Sequence, residues 1–223
     1  MAKNLEVCFI IDKSGSMMDV TGDTIGGFNS VIEQKKSESD FDNIIVTTVL
    51  FNEEIELIHD RVDIKDVKMM TERDYIADGN TALYDAIGYG ITRIDKLRKK
   101  TPKRNRPDYT MVIIVTDGLE NSSRKYTSED IVKMIDEKGK EGWEFVYMGA
   151  NVDSMLEADR IGVGANYSFD ATGLGVRNLW RHSICCCMRL DSFEEDETAQ
   201  GEESIRQKNA KKRAQKRGES ENC

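Results

Sequence analysis

Short apolar runs rich in β-branched residues recur along the chain at Val7–Ile11, Ile44–Phe51, Met111–Thr116 and Trp143–Met148. Each is too short for a helix and is bounded by turn residues, so each predicts a buried strand. Between them the period lengthens: Ile25, Phe28, Val31 and Ile32 share one helical face, as do Leu83, Ile87, Ile91 and Ile94, and then Ile131, Val132 and Ile135. Thr81 stands at an N-cap position before Ala82 and Leu83, Thr127 and Asp130 form a capping box, and Gly139 and Gly142 end that helix. The segment Ile55–Val62 follows the second run too closely for a helical crossover and predicts an antiparallel edge strand. Elsewhere strands alternate with helices, which predicts a Rossmann-like, doubly wound α/β fold with a mostly parallel sheet and helices on both faces.

Beyond Asp170 the pattern changes. Val176, Leu179, Trp180, Ser183, Ile184, Cys187 and Met188 fit one face of a helix, and the acidic stretch Asp191–Glu203 then gives way to the basic run Lys208–Arg217. The expected organisation is a domain over 1–170, an amphipathic helix over 171–190 that packs on it, and a charged, disordered tail over 191–223. The basic run carries no aromatic residue for stacking on bases, and a net charge of −9 disfavours non-specific DNA binding, so no nucleic-acid partner is expected.

No stretch has the apolar length needed to cross a bilayer, and Asp12 interrupts the first apolar run, so neither a signal peptide nor a membrane anchor is expected. The five cysteines, at position 8, in the run Cys185–Cys187 and at position 223, have no disulfide-framework or Cys-x-x-Cys spacing. A cytoplasmic location is expected. The two histidines, His59 and His182, adjoin no Ser or Cys motif, which leaves them surface or packing roles.

Three short motifs fall at the strand-to-helix junctions: Asp12-Lys13-Ser14-Gly15-Ser16 after the first strand, Thr81 at the start of a helix, and Thr116-Asp117-Gly118 after the run that begins at Met111. In an open parallel sheet such loops gather at the carboxyl edge, where the strand order reverses. Their side chains offer hydroxyl and carboxylate oxygens, hard ligands of the kind magnesium and manganese take, and zinc is disfavoured. Asp19, Asp23 and Asp85, near the same motifs, read as acidic partners of helix dipoles, not ligands.

Asp12-Lys13-Ser14-Gly15-Ser16-Met17, Gly79-Asn80-Thr81-Ala82-Leu83 and Val115-Thr116-Asp117-Gly118 resemble the metal-ion-dependent adhesion site (MIDAS) of von Willebrand factor type A domains, intracellular bacterial type. The resemblance covers roughly Leu5–Asp170 and implies a sheet of about six strands with a cation at its top edge. It implies Ser14, Ser16 and Thr81 as direct metal ligands, Asp12 and Asp117 as anchors acting largely through water, and a partner's Asp or Glu as the last ligand of Mg2+ or Mn2+. The function implied is a non-catalytic, cation-dependent protein-binding module, an adaptor or scaffold. Two alternatives stand beside it: a magnesium-dependent phosphohydrolase or phosphotransferase using Asp12, and a domain whose metal is structural. The first would place an acid/base carboxylate two residues after Asp12, where this chain has Ser14. No complete phosphate-binding glycine loop is present.

Overall fold

Asn4–Asp12 forms strand β1 and is buried from Leu5 onward, because it lies mid-sheet with helices on either face. A strand covered on both sides reads as a continuous apolar run, which is why its sequence does not alternate. A computed structural model describes residues 3–149, 152–163, 165–168, 180 and 188. After β1 come a 3-10 turn (Gly15–Val20), α1 (Thr21–Ser37), β2 (Asn43–Phe51), β3 (Ile55–Asp63), α2 (Leu83–Lys100), β4 (Tyr109–Thr116), α3 (Ser128–Lys140), β5 (Trp143–Gly149), α4 (Val152–Arg160) and β6 (Ala165–Ser168).

The sheet order is β3-β2-β1-β4-β5-β6. β2 and β4 flank β1 in parallel, β5 and β6 continue in parallel, and β3 closes one edge antiparallel to β2, as its short connection requires. The chain winds from β1 outward through β2 to β3, then returns to β1's other side with β4. The winding direction therefore reverses between β1 and β4, and that reversal opens a crevice at their carboxyl ends.

Leu5, Val7, Phe9 and Ile11 face one core with Ile25, Phe28, Val31 and Ile32 of α1. Cys8 and Ile10 face the other with Leu83, Ile87, Ile91 and Ile94 of α2, Ile131 and Ile135 of α3, and Ala158 of α4. Helices thus cover both faces. Among the described residues no helix is long and apolar enough to cross a membrane.

The capping box at the start of α3 is present, with Thr127 and Asp130 each bonding the other's backbone. Three local expectations need correction. Val132 is exposed, because one residue past Ile131 the helix has rotated by about 100° away from the buried line joining Ile131 to Ile135. Gly139 lies within α3, and the chain turns into β5 at Gly142, whose φ of 85° is one that glycine adopts without strain. Thr81 is not the N-cap of α2; that position is Ala82, with no side-chain cap, and Thr81 serves the crevice instead.

Between the turn Ile64–Asp66 and α2 runs a long connection held by specific anchors. Asn29 of α1 donates its amide to the Met70 carbonyl at 2.9 Å and accepts from the Met70 N–H at 2.8 Å. Val67, Met70 and Tyr75 are buried from this segment. Trp180 and Met188 are buried in the α1-side core, and Lys35 Nζ donates to the Met188 carbonyl at 2.9 Å. The rest of the predicted 171–190 helix, with His182 and Cys185–Cys187, and the tail over 191–223 lie outside the described residues.

His59 of β3 is buried beside Phe28, with ring centroids 6.1 Å apart and planes 10° from parallel, and its Nδ1 is 3.1 Å from Thr48 Oγ1. Burial lowers its pKa, aided by Lys36 and opposed by a hydrogen bond to the Lys68 backbone and by the Asp74 carboxylate. The folded chain then holds fewer protons on this ring than the unfolded chain does below a pH of about 6.5. His59 therefore contributes stability above that pH which is lost as pH falls toward the lowered folded value. Urea unfolding of wild type and His59→Gln at neutral and mildly acidic pH should show the gap between them narrowing in acid. A gap independent of pH would contradict this.

Candidate metal centre

β1 ends on Asp12, and its register with β4, Ile11 beside Val115, brings Asp12 alongside Thr116. Thr116 Oγ1 donates to Asp12 Oδ2 at 2.5 Å, and the Ser14 N–H donates to Oδ1 at 2.7 Å. The carboxylate is thereby fixed from the strand on one side and from its own loop on the other. The Tyr75 hydroxyl, buried under the same loop, donates to the Asp12 carbonyl.

The two serines follow at short range. Ser14 Oγ and Ser16 Oγ are 3.2 Å apart, and Ser16 Oγ donates to Asp117 Oδ1 at 2.5 Å, closing the loop after β1 onto the loop after β4. Thr81 arrives from the far side of the crevice. Its N–H donates to Asn121 Oδ1 at 2.8 Å and its carbonyl accepts from the Asn121 N–H at 3.1 Å. Two backbone bonds, Gly15 N–H to Gly79 O and Asp78 N–H to Lys13 O, both 3.0 Å, lash the Gly79-Asn80-Thr81 turn to the serine loop. Gly79 has φ of 72°, so this turn needs a glycine there.

All five predicted residues, Asp12, Ser14, Ser16, Thr81 and Asp117, therefore stand on the loops that meet at this crevice. Gly118 measures how they converge. A Cβ placed there would lie 3.0 Å from Thr81 Oγ1, 3.5 Å from Asp12 Oδ2 and 3.6 Å from Ser16 Oγ. The absent side chain on the loop after β4 leaves open a small space faced by oxygens from two other segments, the end of β1 with its loop and the turn before α2, a donor set suited to a hard dication. Among the described residues no three His, Cys, Asp or Glu side chains gather as a metal-binding group; this site combines two carboxylates with three hydroxyls.

Electrostatics agrees with that chemistry. Burial raises the Asp12 pKa to about 6 against the hydrogen bonds from Thr116 and Ser14, and nearby Asp117 raises it further. Asp117 is raised as well, mainly by burial and against its bond from Ser16. Two carboxylates held close together and away from water favour a counter-cation. Gly118→Ala is expected to leave the fold intact and to weaken divalent-cation binding by about tenfold, as the methyl crowds Thr81 Oγ1. Unchanged affinity in a calorimetric titration would mean that the ring of oxygens does not hold the ion.

Asp85 stands in the first turn of α2, as its sequence position indicates, and is in addition a buried anchor. Its carboxylate accepts the N–H groups of Arg124, Lys125 and Tyr126 at 3.0, 2.8 and 3.0 Å. Glu120 reciprocates by accepting the Tyr84 N–H at 2.9 Å, and the Tyr126 ring lies over Gly88. These contacts tie the loop after Asp117 to the first turns of α2, and so keep Thr81 opposite Ser16. Tyr75, Asn121, Thr116 and Glu120 were not singled out as site residues from sequence. For Thr116 the signal was its place one residue before Asp117, on the strand beside β1.

No protein-family model matches the chain, and no curated protein does. Among solved structures 246 chains match. Proximal thread matrix protein 1 from the mussel byssus, in a form with a zinc-occupied MIDAS motif, superposes with a TM-score of 0.57 at 15% identity, over 84% of this chain and 46% of that one. Manganese-loaded TRAP protein of Plasmodium vivax gives 0.54 at 12% identity, over 84% and 73%. The vWF domain of the type V pili tip protein Mfa5 from Porphyromonas gingivalis gives 0.57 at 8% identity, over 85% of this chain and 97% of that domain. The chain thus spans less than half of the mussel protein but nearly the whole of the Mfa5 domain. At these identities the likeness is one of fold, and the fold is that of a von Willebrand factor type A domain.

Proposed function

We propose that this chain is a non-catalytic, divalent-cation-dependent protein-binding module. Ser14, Ser16 and Thr81 would bind Mg2+ or Mn2+ directly, and Asp12 and Asp117 would anchor its waters. The observation that carries the proposal is the oxygen-lined space at Gly118, on the loop after β4, reached by Asp12 and Ser16 from the end of β1 and its loop and by Thr81 from the turn before α2, at the sheet's switch point. Metal-loaded structures of the same fold, with zinc in one and manganese in another, support a dication as its occupant.

The bound cation supplies a Lewis-acidic point for an external oxygen ligand. Because three of the chain's five oxygen donors are neutral hydroxyls, an ion held by them keeps much of its charge for an incoming carboxylate from a partner's Asp or Glu. Ser16 is exposed and Asp117 half-buried, so that approach is open, whereas Asp12, Ser14 and Thr81 lie below the surface.

The test captures proteins from lysate of the source cell on the immobilised chain, in magnesium and in chelator, with Ser14→Ala alongside. A partner retained by wild type in magnesium, and lost both in chelator and on Ser14→Ala, is the expected result. Identical retention in every arm would place the binding surface elsewhere and leave the ion a structural role.

A further inference from the structure

Among the described residues five large hydrophobic side chains are exposed, and three of them, Met18, Ile76 and Leu119, sit on the loops that build the metal centre. Met18 follows Ser16 by two residues and is 62% exposed. Leu119 directly follows Gly118 and is 48% exposed. Ile76, 61% exposed, directly follows Tyr75, whose hydroxyl holds the Asp12 carbonyl, and precedes Asp78, whose N–H bonds the Lys13 carbonyl at 3.0 Å.

Each of these segments is pinned to the site by the bonds described above, so the apolar side chains are carried on fixed backbone. Residues adjoining the core of each loop, Met17 and Tyr75, are fully buried, which shows that the core is filled without Met18 and Ile76. Single exposed hydrophobics need no explanation, but three on the converging loops of one candidate site point to a partner.

The charges at the same rim narrow what that partner carries. Asp19, Glu53, Glu54 and Asp78 are exposed around these loops. They repel a strongly acidic segment, while the cation demands one carboxylate. We infer that the centre recognises a partner segment in which a single Asp or Glu is flanked by apolar side chains, the carboxylate going to the ion and the flanks to Met18, Ile76 and Leu119. This inference rests on the cation-dependent binding proposed above.

A displayed library of short peptides with a fixed central glutamate and randomised flanks tests it directly. Selection is run on the full chain in magnesium, in chelator, and on the triple variant M18S/I76S/L119S in magnesium. The variant's fold and magnesium affinity are checked first by thermal unfolding and calorimetry, and neither should change, because all three side chains project into solvent. Peptides retained by wild type only in magnesium should be enriched in apolar residues beside the glutamate. A selected peptide should bind the variant about tenfold more weakly while remaining metal-dependent.

A metal-dependent pool with no flank preference, with basic flanks, or with apolar flanks equally well bound by the triple variant would overturn the inference and leave the cation-dependent reading standing. A pool indifferent to metal would overturn both. Magnesium-dependent self-association of wild type that is lost in the triple variant would instead assign the surface to a second copy of this chain, and would overturn the inference in its favour.

Discussion

Trp180→Ala is expected to destabilise the chain by about 3–5 kcal/mol. Trp180 is fully buried, edge-on to Phe28 at 6.0 Å and 6.2 Å from Phe9 of the central strand. It fits there because Gly27 of α1 has no side chain: a Cβ on Gly27 would stand 2.1 Å from Trp180 Cδ1. Gly27→Ala alone should therefore cost about as much as losing the indole's fit, since core overpacking and displacement both act. In the Trp180→Ala background the sign reverses. With the ring gone, the added methyl meets no clash and gains the helix propensity of alanine over glycine, about 1 kcal/mol. Urea unfolding of the two single variants and the double variant measures this coupling directly. Additive effects would mean that Trp180 does not occupy the α1 groove.

The second large effect is a trade between stability and metal. Asp12→Asn should abolish specific cation binding, because a carboxylate about 4 Å from a dication at an effective dielectric of about 20 contributes roughly 8 kcal/mol before desolvation. In chelator the same substitution should stabilise the fold. The Asp12 pKa is raised to about 6 in the folded chain, so the folded state favours the protonated acid more than the unfolded state does. Its contribution to stability is fully present below about pH 4 and is lost as pH rises through about 6. At neutral pH the metal-free chain is then less stable by about 3 kcal/mol than it would be with a neutral group there. The amide introduced by Asp12→Asn keeps an acceptor for the Ser14 N–H, and Thr116 Oγ1 can turn toward the Gly118 carbonyl, 3.4 Å away. A higher urea midpoint for Asp12→Asn in chelator, together with loss of the midpoint increase that magnesium gives wild type, is the expected pair of results. A variant that is less stable in chelator would show that the carboxylate is not strained by burial.

The central strands were legible because burial on both faces leaves no polar residue to break the run from Val7 to Ile11, and the strand ends on Asp12, where the sheet stops and the site begins. The edge strand β3 was legible from connection length alone. α4 and β6 were not read from the pattern. At nine and four residues they are too short to show a period, and they are placed by contact with β5. The positions of Asp12, Ser14, Ser16 and Asp117 could be read because they lie at or just after the end of a buried strand, and that of Thr81 because it stands just before the apolar face of α2. Tyr75 could not, since it lies in a long connection without periodicity and reaches Asp12 across 63 residues of sequence. Gly118 was visible as a letter of the motif, but its role as open space depends on where Thr81 and Ser16 converge. Asp85 was placed in the first turn of α2 by its sequence position, and its second role was hidden. A first-turn acid has an ordinary local explanation, and only the tertiary fold reveals that it collects three N–H groups from a loop some 40 residues away.

Manganese titration followed by the electron paramagnetic resonance of the free ion tests most directly whether these oxygens hold a dication. Wild type should take up one ion per chain, released by excess magnesium, and Thr81→Ala should bind it at least about tenfold more weakly while remaining folded. No uptake by wild type, or uptake undiminished in Thr81→Ala, would contradict the account.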